Sequence, residues 1–253
     1  MESGQAGLLA LWSAPRSRST AFFRMMVERG DVVALHEPFT ELVDHGETEL
    51  PGRNVTSIDE LIDRLLNLAE RTVVFFKETT DKRHQRVRER PDFLCSGQHT
   101  FLIRDPREII ASYCALRPDM QRYEAGVENL AEIFAATTAA GGSALVLDSD
   151  DFVDRPAETT AAYCAAVELP FRPEALSWEA GDRVEWRRSA RWHTGVRDST
   201  TVERRTREYE RTIDIDPALR AIYDHHAPFY EELRRHRLHP QIAADGPRRA
   251  WFR

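Results

Sequence analysis

The sequence predicts an α/β fold in which a central, mainly parallel β-sheet is flanked by helices. Three observations carry this expectation. Short apolar runs of β-type residues alternate with longer amphipathic segments as far as about residue 170, the pattern of strands joined by crossover helices. The polar residues best suited to chemistry stand directly after those runs, where open parallel sheets bind ligands. The length of 253 residues, 42% of them hydrophobic, is enough to bury a substantial core.

Leu8 to Ser13 reads as the first buried strand, and Ala14 to Thr20 as a tight turn that opens a helix over Ala21 to Val27. Asp31 to Leu35 is a short second strand that ends at His36, Glu37, Pro38 and Phe39. Glu41 to Thr56 is polar and irregular, a surface excursion or substrate lid. Ser57 and Glu60 form a capping-box pattern ahead of a helix whose apolar face is Leu61, Ile62, Leu65, Leu66 and Leu68. Thr72 to Phe76 is a third strand, stopping at Lys77, and His99 to Ile103 is a fourth, stopping at Arg104. Asp105 and Pro106 then supply cap and first-turn signals for a helix over Arg107 to Leu116. A helix near Glu124 to Ala140 leads through Gly141 and Gly142 to a last strand, Ala144 to Asp148. Arg155 and Pro156 start another helix that runs to about Val167. Beyond Pro170 the periodicity weakens until an amphipathic helix around Pro217 to Arg235. With no repeat, linker or charge block, residues 1–253 read as one domain: a core over about 7–170, a helical and looped part over about 171–240, and a loosely held tail over 241–253.

Composition excludes several classes. A net charge of −7 argues against general nucleic-acid binding. There is no run of 18 apolar residues and no basic-plus-apolar leader, so the expectation is a cytoplasmic protein without a membrane segment. Three widely spaced cysteines, Cys95, Cys114 and Cys164, suggest neither disulfides nor a zinc site. Only two lysines occur, Lys77 and Lys82. That bias carries no function by itself, but it draws attention to Lys77 at the end of an apolar run.

The turn Ala14–Pro15–Arg16–Ser17–Arg18–Ser19–Thr20 reads as an anion cradle. Arginines are unfavourable beside the positive end of a helix dipole unless an anion lies between them. The nucleotide-triphosphate loop G-x-x-x-x-G-K-[ST] is not matched: the turn has no glycine, and Arg16 stands where a lysine contact would be. Ser17, Arg18, Ser19 and Thr20 add hydroxyl and guanidinium donors. A second anion grip is spaced along the fourth strand and its helix. Ser112 lies seven residues past the Asp105 cap, about two turns, which returns it to the side of Arg104.

At these residues the chain resembles the sulfotransferases that use 3′-phosphoadenosine 5′-phosphosulfate (PAPS), most closely their bacterial small-molecule branch. Pro15 to Thr20 looks like the family's 5′-phosphosulfate loop, and Ile103 to Tyr113 is similar to its 3′-phosphate motif, an arginine followed eight residues later by a serine. The late strand and acidic loop, Leu147 to Pro156, and Glu168–Leu169–Pro170 extend the likeness over about residues 7–170, and more faintly to about 235. The resemblance implies a three-layer P-loop-like fold. It also implies that Pro15, Arg16, Ser17, Arg18, Ser19 and Thr20 hold the 5′-phosphosulfate and that Arg104 and Ser112 hold the 3′-phosphate. Lys77 matches a lysine placed near the transferring group, and Glu37 resembles the carboxylate that some bacterial members use as general base, with His36 as its rival.

Two departures stand out. Many members follow the lysine by one residue and then a histidine base, whereas here Lys77 is followed by Glu78 and Thr79. The late glycine-rich loop over the 3′-phosphate has no clear copy, and the arginines of 183–191 with Trp186 and Trp192 are the candidates to replace it. His193 is a candidate for the acceptor pocket. The resemblance thus implies metal-independent, in-line transfer of a sulfuryl group to a hydroxyl or amine of a small molecule, leaving adenosine 3′,5′-bisphosphate (PAP). Glu37, Lys77, Arg16 and His36 are the candidate catalytic residues, and no metal ligand set is expected. Two other readings stay open: a P-loop kinase or phosphotransferase using ATP and magnesium, and a non-catalytic adenosine-bisphosphate-binding protein.

Overall fold

In the computed structural model, residues 7–192 and 194–240 are described. His193 and the tail 241–253 lie outside them. The strands are β1 (Gly7–Ser13), β2 (Val33–His36), β5 (Val73–Thr79), β6 (Gln98–Ile103) and β7 (Ser143–Asp148), in the order β2-β5-β1-β6-β7 with every pairing parallel. Between β2 and β5 the chain adds α2 (Pro38–His45), a small antiparallel hairpin of β3 (Thr48–Leu50) and β4 (Arg53–Val55), and α3 (Ile58–Ala69). The other helices are α1 (Ser19–Glu28), α4 (Gln85–Arg88), α5 (Pro91–Leu94), α6 (Pro106–Cys114), α7 (Val127–Ala139), α8 (Ser149–Asp154), α9 (Pro156–Ala166), α10 (Thr194–Arg197) and α11 (Pro217–Arg235).

Successive side chains of a strand face opposite sides, and β1 divides the core accordingly. Leu8, Ala10 and Trp12 join Phe76 and Phe101 beneath α2, α3, α7 and α11. Leu9 and Leu11 join Phe75, Leu102 and Leu147 beneath α1, α8 and α9. Helices therefore cover both faces, as an all-parallel sheet requires. This is the three-layer α/β architecture that the sequence predicts.

Under α2 and α5 the core carries two buried, neutral histidines. Trp12 Nε1 donates to His99 Nδ1 at 3.1 Å, and His99 Nε2 lies 3.2 Å from the carbonyl of Phe93. His84 Nε2 lies 2.7 Å from the carbonyl of Thr79. Burial pushes both imidazoles down to about 4.

The differences from the sequence reading have local causes. A helix runs over Pro38–His45, taking in the start of the segment read as irregular from Glu41, because Pro38 pre-sets the first turn and the next amides find the carboxyl of Glu78, far along the chain. β5 does not stop at Phe76. It continues to Thr79, so Lys77 lies inside the strand, level with Leu11 of β1 and His36 of β2. The acidic residues after β7 form α8, with Asp148 accepting from the amide of Asp150.

Candidate active site

The carboxyl ends of β1, β2, β5 and β6 open into a cavity of about 360 Å³. Pro15, Arg16, Arg18, Ser19, Thr20, Arg104 and Ser112 line one part of it, and Glu37 and Lys77 another. These residues come from four separated stretches of sequence.

The turn after β1 departs from ordinary backbone. Arg16 and Arg18 both sit in the left-handed region, at φ 62° and 64°, with Arg18 as the residue before α1. Non-glycine residues hold such conformations only where surrounding contacts fix them. For Arg16 the contacts come from the second motif. Arg104 Nη1 donates to the Arg16 carbonyl at 2.5 Å, and Arg16 Nε donates to Ser112 Oγ at 3.0 Å. Arg16 Nη1 also reaches the carbonyl of Trp192 at 2.8 Å. Arg18 is held by Asp150 at 2.6 Å, and Arg204 shares that carboxylate at 2.8 Å.

Arg104 is placed by the end of β6 and by α6, whose cap is Asp105 accepting from the Arg107 amide at 2.8 Å. Burial first, and then the charge of Arg18, push the Arg104 guanidinium down to about 10. Two polar atoms of this cradle, Ser17 Oγ and Arg104 Nε, are buried without a hydrogen-bond partner among the described residues. Such groups are costly unless a ligand completes them. Ser17 is buried behind the turn and does not itself line the cavity.

The second part of the cavity is built on one turn. Glu37 follows β2 with φ 48° and precedes Pro38 of α2. Its amide donates to the carbonyl of Lys77 at 2.7 Å, and its carboxylate forms an ion pair with the Lys77 ammonium. Both side chains are nearly enclosed, with Lys77 at 1% and Glu37 at 8% exposure. A pair this enclosed is held against desolvation by its own geometry.

His36 sits elsewhere. Its ring lies edge-on to Phe23 at 5.0 Å and near Trp186, away from the cavity lining. Its Nε2 is 3.9 Å from Glu37 Oε1. Burial, reinforced by the charge of Lys77, holds the imidazole well below its usual value and therefore neutral.

The segment after β2 and the loop after Lys77 also line the cavity through Thr40, Glu41, Asp81 and Lys82, as does Tyr113 beside Ser112. Arg205, Arg207 and Tyr209, which escaped the sequence reading, line it as well. Of the 183–191 cluster, Arg188 and Ser189 line the cavity, and Trp192 follows them. Arg183 instead pairs with Glu185, and Trp186 belongs to the core beside Phe23. The arginines nearest the cradle thus come from a later loop, whose lack of periodicity hid them. Among the described residues no three His, Cys, Asp or Glu side chains group as metal ligands would, and no helix is long and apolar enough to cross a membrane.

Comparison with known proteins agrees with this architecture. Residues 8–235 match the Sulfotransferase domain family. Two curated Arabidopsis thaliana proteins are similar: branched-chain-amino-acid aminotransferase-like protein 1, 28% identical over 93% of this chain, and protein 2, 28% identical over 90%. The chain spans 43% and 41% of their respective lengths. Among solved structures, the sulfotransferase domain of the Synechococcus PCC 7002 olefin synthase shares the fold at a TM-score of 0.53 and 15% identity, covering 90% of this chain and 97% of that one. The sulfotransferase domain of the curacin biosynthetic pathway aligns at a TM-score of 0.44 and 16% identity, over 79% of this chain and 85% of that one.

Proposed function

Because the chain belongs to the Sulfotransferase domain family, we propose that it moves a sulfuryl group from PAPS to a hydroxyl or amine of a small-molecule acceptor, leaving PAP. The observation that carries this reading is the interlock of Arg16, Arg104 and Ser112 at the cavity wall, in which Arg104 Nε is buried without a hydrogen-bond partner among the described residues. A ligand with an anionic group at each end fits that cradle. A phosphate oxygen would complete the open Arg104 valence, with guanidinium and the Ser112 hydroxyl gripping it together.

The donor supplies the sulfuryl group: its bond to the 5′-phosphate oxygen breaks as a bond to the acceptor atom forms. The residues of the chain do the remaining work. Arg16, Arg18, Ser19 and Thr20 bind the 5′ end beside the amino end of α1, with Ser17 buried behind the turn, while Arg104 and Ser112 bind the 3′ end. Lys77 offsets charge on the departing phosphate, which is electrostatic stabilisation from a preorganised group. In this reading its ammonium turns from Glu37 towards the donor, and the released Glu37 carboxylate accepts the acceptor's proton. His36, neutral and packed on Phe23, acts as a wall behind Glu37 rather than as the base.

The test is calorimetric titration of PAP and of ATP with magnesium in parallel. Tight, metal-independent binding of PAP is the expected result. Binding of ATP only with magnesium would select a kinase. Binding of PAP with no sulfated product across a broad acceptor screen would select a non-catalytic binding protein.

A further inference from the structure

Glu78 has no role in the chemistry above, yet it is fully buried next to the residues that do. Its two oxygens accept four hydrogen bonds. Oε2 accepts from the amides of Phe39 at 2.8 Å and Thr40 at 3.2 Å, and Oε1 accepts from the Thr40 hydroxyl at 2.6 Å and the Thr79 amide at 3.0 Å. The first turn of a helix leaves its amides without partners, and the residue before the helix ordinarily caps them with its own side chain. In α2 that residue is Glu37, which makes no capping hydrogen bond among the described residues. Pro38 has no amide proton, so Phe39 and Thr40 carry the first free donors, and Glu78 takes both.

We propose that Glu78 is a positioning residue: by capping α2 in place of Glu37, it leaves the Glu37 carboxylate free to face Lys77 and the cavity. The arrangement follows from the pleat of β5. Lys77 and Glu78 project to opposite sides of the sheet. Lys77 therefore meets the Glu37 carboxylate on one side while Glu78 grips the amides of Phe39 and Thr40 from the other. The Lys77 carbonyl fixes the Glu37 amide between them. A single strand dipeptide thus holds the left-handed turn at Glu37 at three points. Without Glu78, the bare α2 amides fall to the residue that ordinarily caps a helix, here Glu37, and turning to cap them would take its carboxylate away from Lys77.

This inference rests on reading Glu37 as the base, but its test does not need turnover. The chain has only two lysines, so 15N-lysine labelling gives two ammonium signals, Lys77 and Lys82. Glu37→Gln supplies the reference shift for an unpaired Lys77. In Glu78→Gln the Lys77 signal should move towards that reference or vanish through proton exchange, while Lys82, paired with Asp44, stays in place. Calorimetric affinity for PAP should remain within about threefold, because the anion cradle is untouched. Thr40→Val, which removes one donor and keeps the carboxylate, should give a smaller shift in the same direction and covers the case in which Glu78→Gln fails to fold. An unmoved Lys77 signal in folded Glu78→Gln makes Glu78 a purely structural cap and overturns the proposal. An unmoved signal in Thr40→Val overturns it where Glu78→Gln does not fold. Failure of the wild-type chain to bind PAP would refute the sulfuryl-transfer reading while leaving the lysine signals to decide on Glu78.

Discussion

Arg104 donates to the main-chain carbonyl of Arg16, and Arg16 returns a hydrogen bond to Ser112, eight residues beyond Arg104. Two motifs far apart in sequence, the proposed grips for the two ends of the donor, therefore share one set of contacts, and damage to either should loosen both.

Arg104→Lys keeps a positive charge but loses the forked geometry that reaches Arg16. Charge-assisted hydrogen bonds of this kind contribute roughly 1.5–3 kcal/mol, so affinity for PAP should fall by about 10–100-fold. Calorimetry reads this directly, and an unchanged dissociation constant would remove Arg104 from the nucleotide site.

Glu37→Gln retains the shape of the turn and should bind PAP as the wild type does. Its transfer rate should drop by about 10²–10⁴-fold, the usual contribution of a general base. The measurement is product formation by mass spectrometry on whichever acceptor the screen identifies. Full activity would transfer the base role to another group.

Acid should weaken the fold through the histidines under α2 and α5. His84 and His99 titrate near 4 when folded, against 6.5 in the unfolded chain. A depressed histidine binds fewer protons folded than unfolded between those values. Its contribution is complete above pH 6.5 and is lost as pH falls towards 4. Protonating His99 Nδ1 would also set two donors, the ring N–H and Trp12 Nε1, against each other. Buried Glu78, pushed up to about 8, acts in the opposite direction over part of this range in every variant, so the histidine contribution is read as a difference: melting temperature should fall less between pH 7 and pH 4.5 in His99→Gln than in the wild type. Equal falls in the two proteins would contradict the assignment.

Gly126→Ala should harm the nucleotide site from a distance. A Cβ there would lie 2.7 Å from Pro15 Cδ and 3.0 Å from Thr80 Oγ1, at a φ of +75°. Gly141 has nearly the same φ, +76°, with nothing within 4 Å, so Gly141→Ala carries the backbone strain without the clash. Overpacking costs about 1–3 kcal/mol. Gly126→Ala should exceed its control by that margin in denaturant unfolding and should also weaken PAP binding. Equal effects of the two variants would show that Pro15 yields without consequence.

The strands were legible because β-type runs end at polar residues, and α3 and α6 because Ser57 and Asp105 cap them from within their own sequence. What stayed hidden depends on distant partners. The helix over Pro38–His45 gave no signal, and its part from Glu41 looks irregular, because its cap is Glu78. Lys77 and Glu78 look like the end of a strand because they interrupt an apolar run, whereas in the fold Glu37 pairs with Lys77 and the α2 amides bond the Glu78 carboxyl, which burial pushes up to about 8. Arg205, Arg207 and Tyr209 gave no periodic signal, since a loop that lies across a cavity is placed by tertiary contact alone.

The strand order has a practical consequence for redesign. The proposed phosphate grips follow β1 and β6, whereas the Glu37 turn and the α2 region hang on β2 and β5, on the other side of β1. In the proposed reading the grips on the two phosphates and the region beside the acceptor therefore rest on separate strands. Libraries varied in α2 and its hairpin would test this by changing the acceptor while leaving PAP affinity as it is.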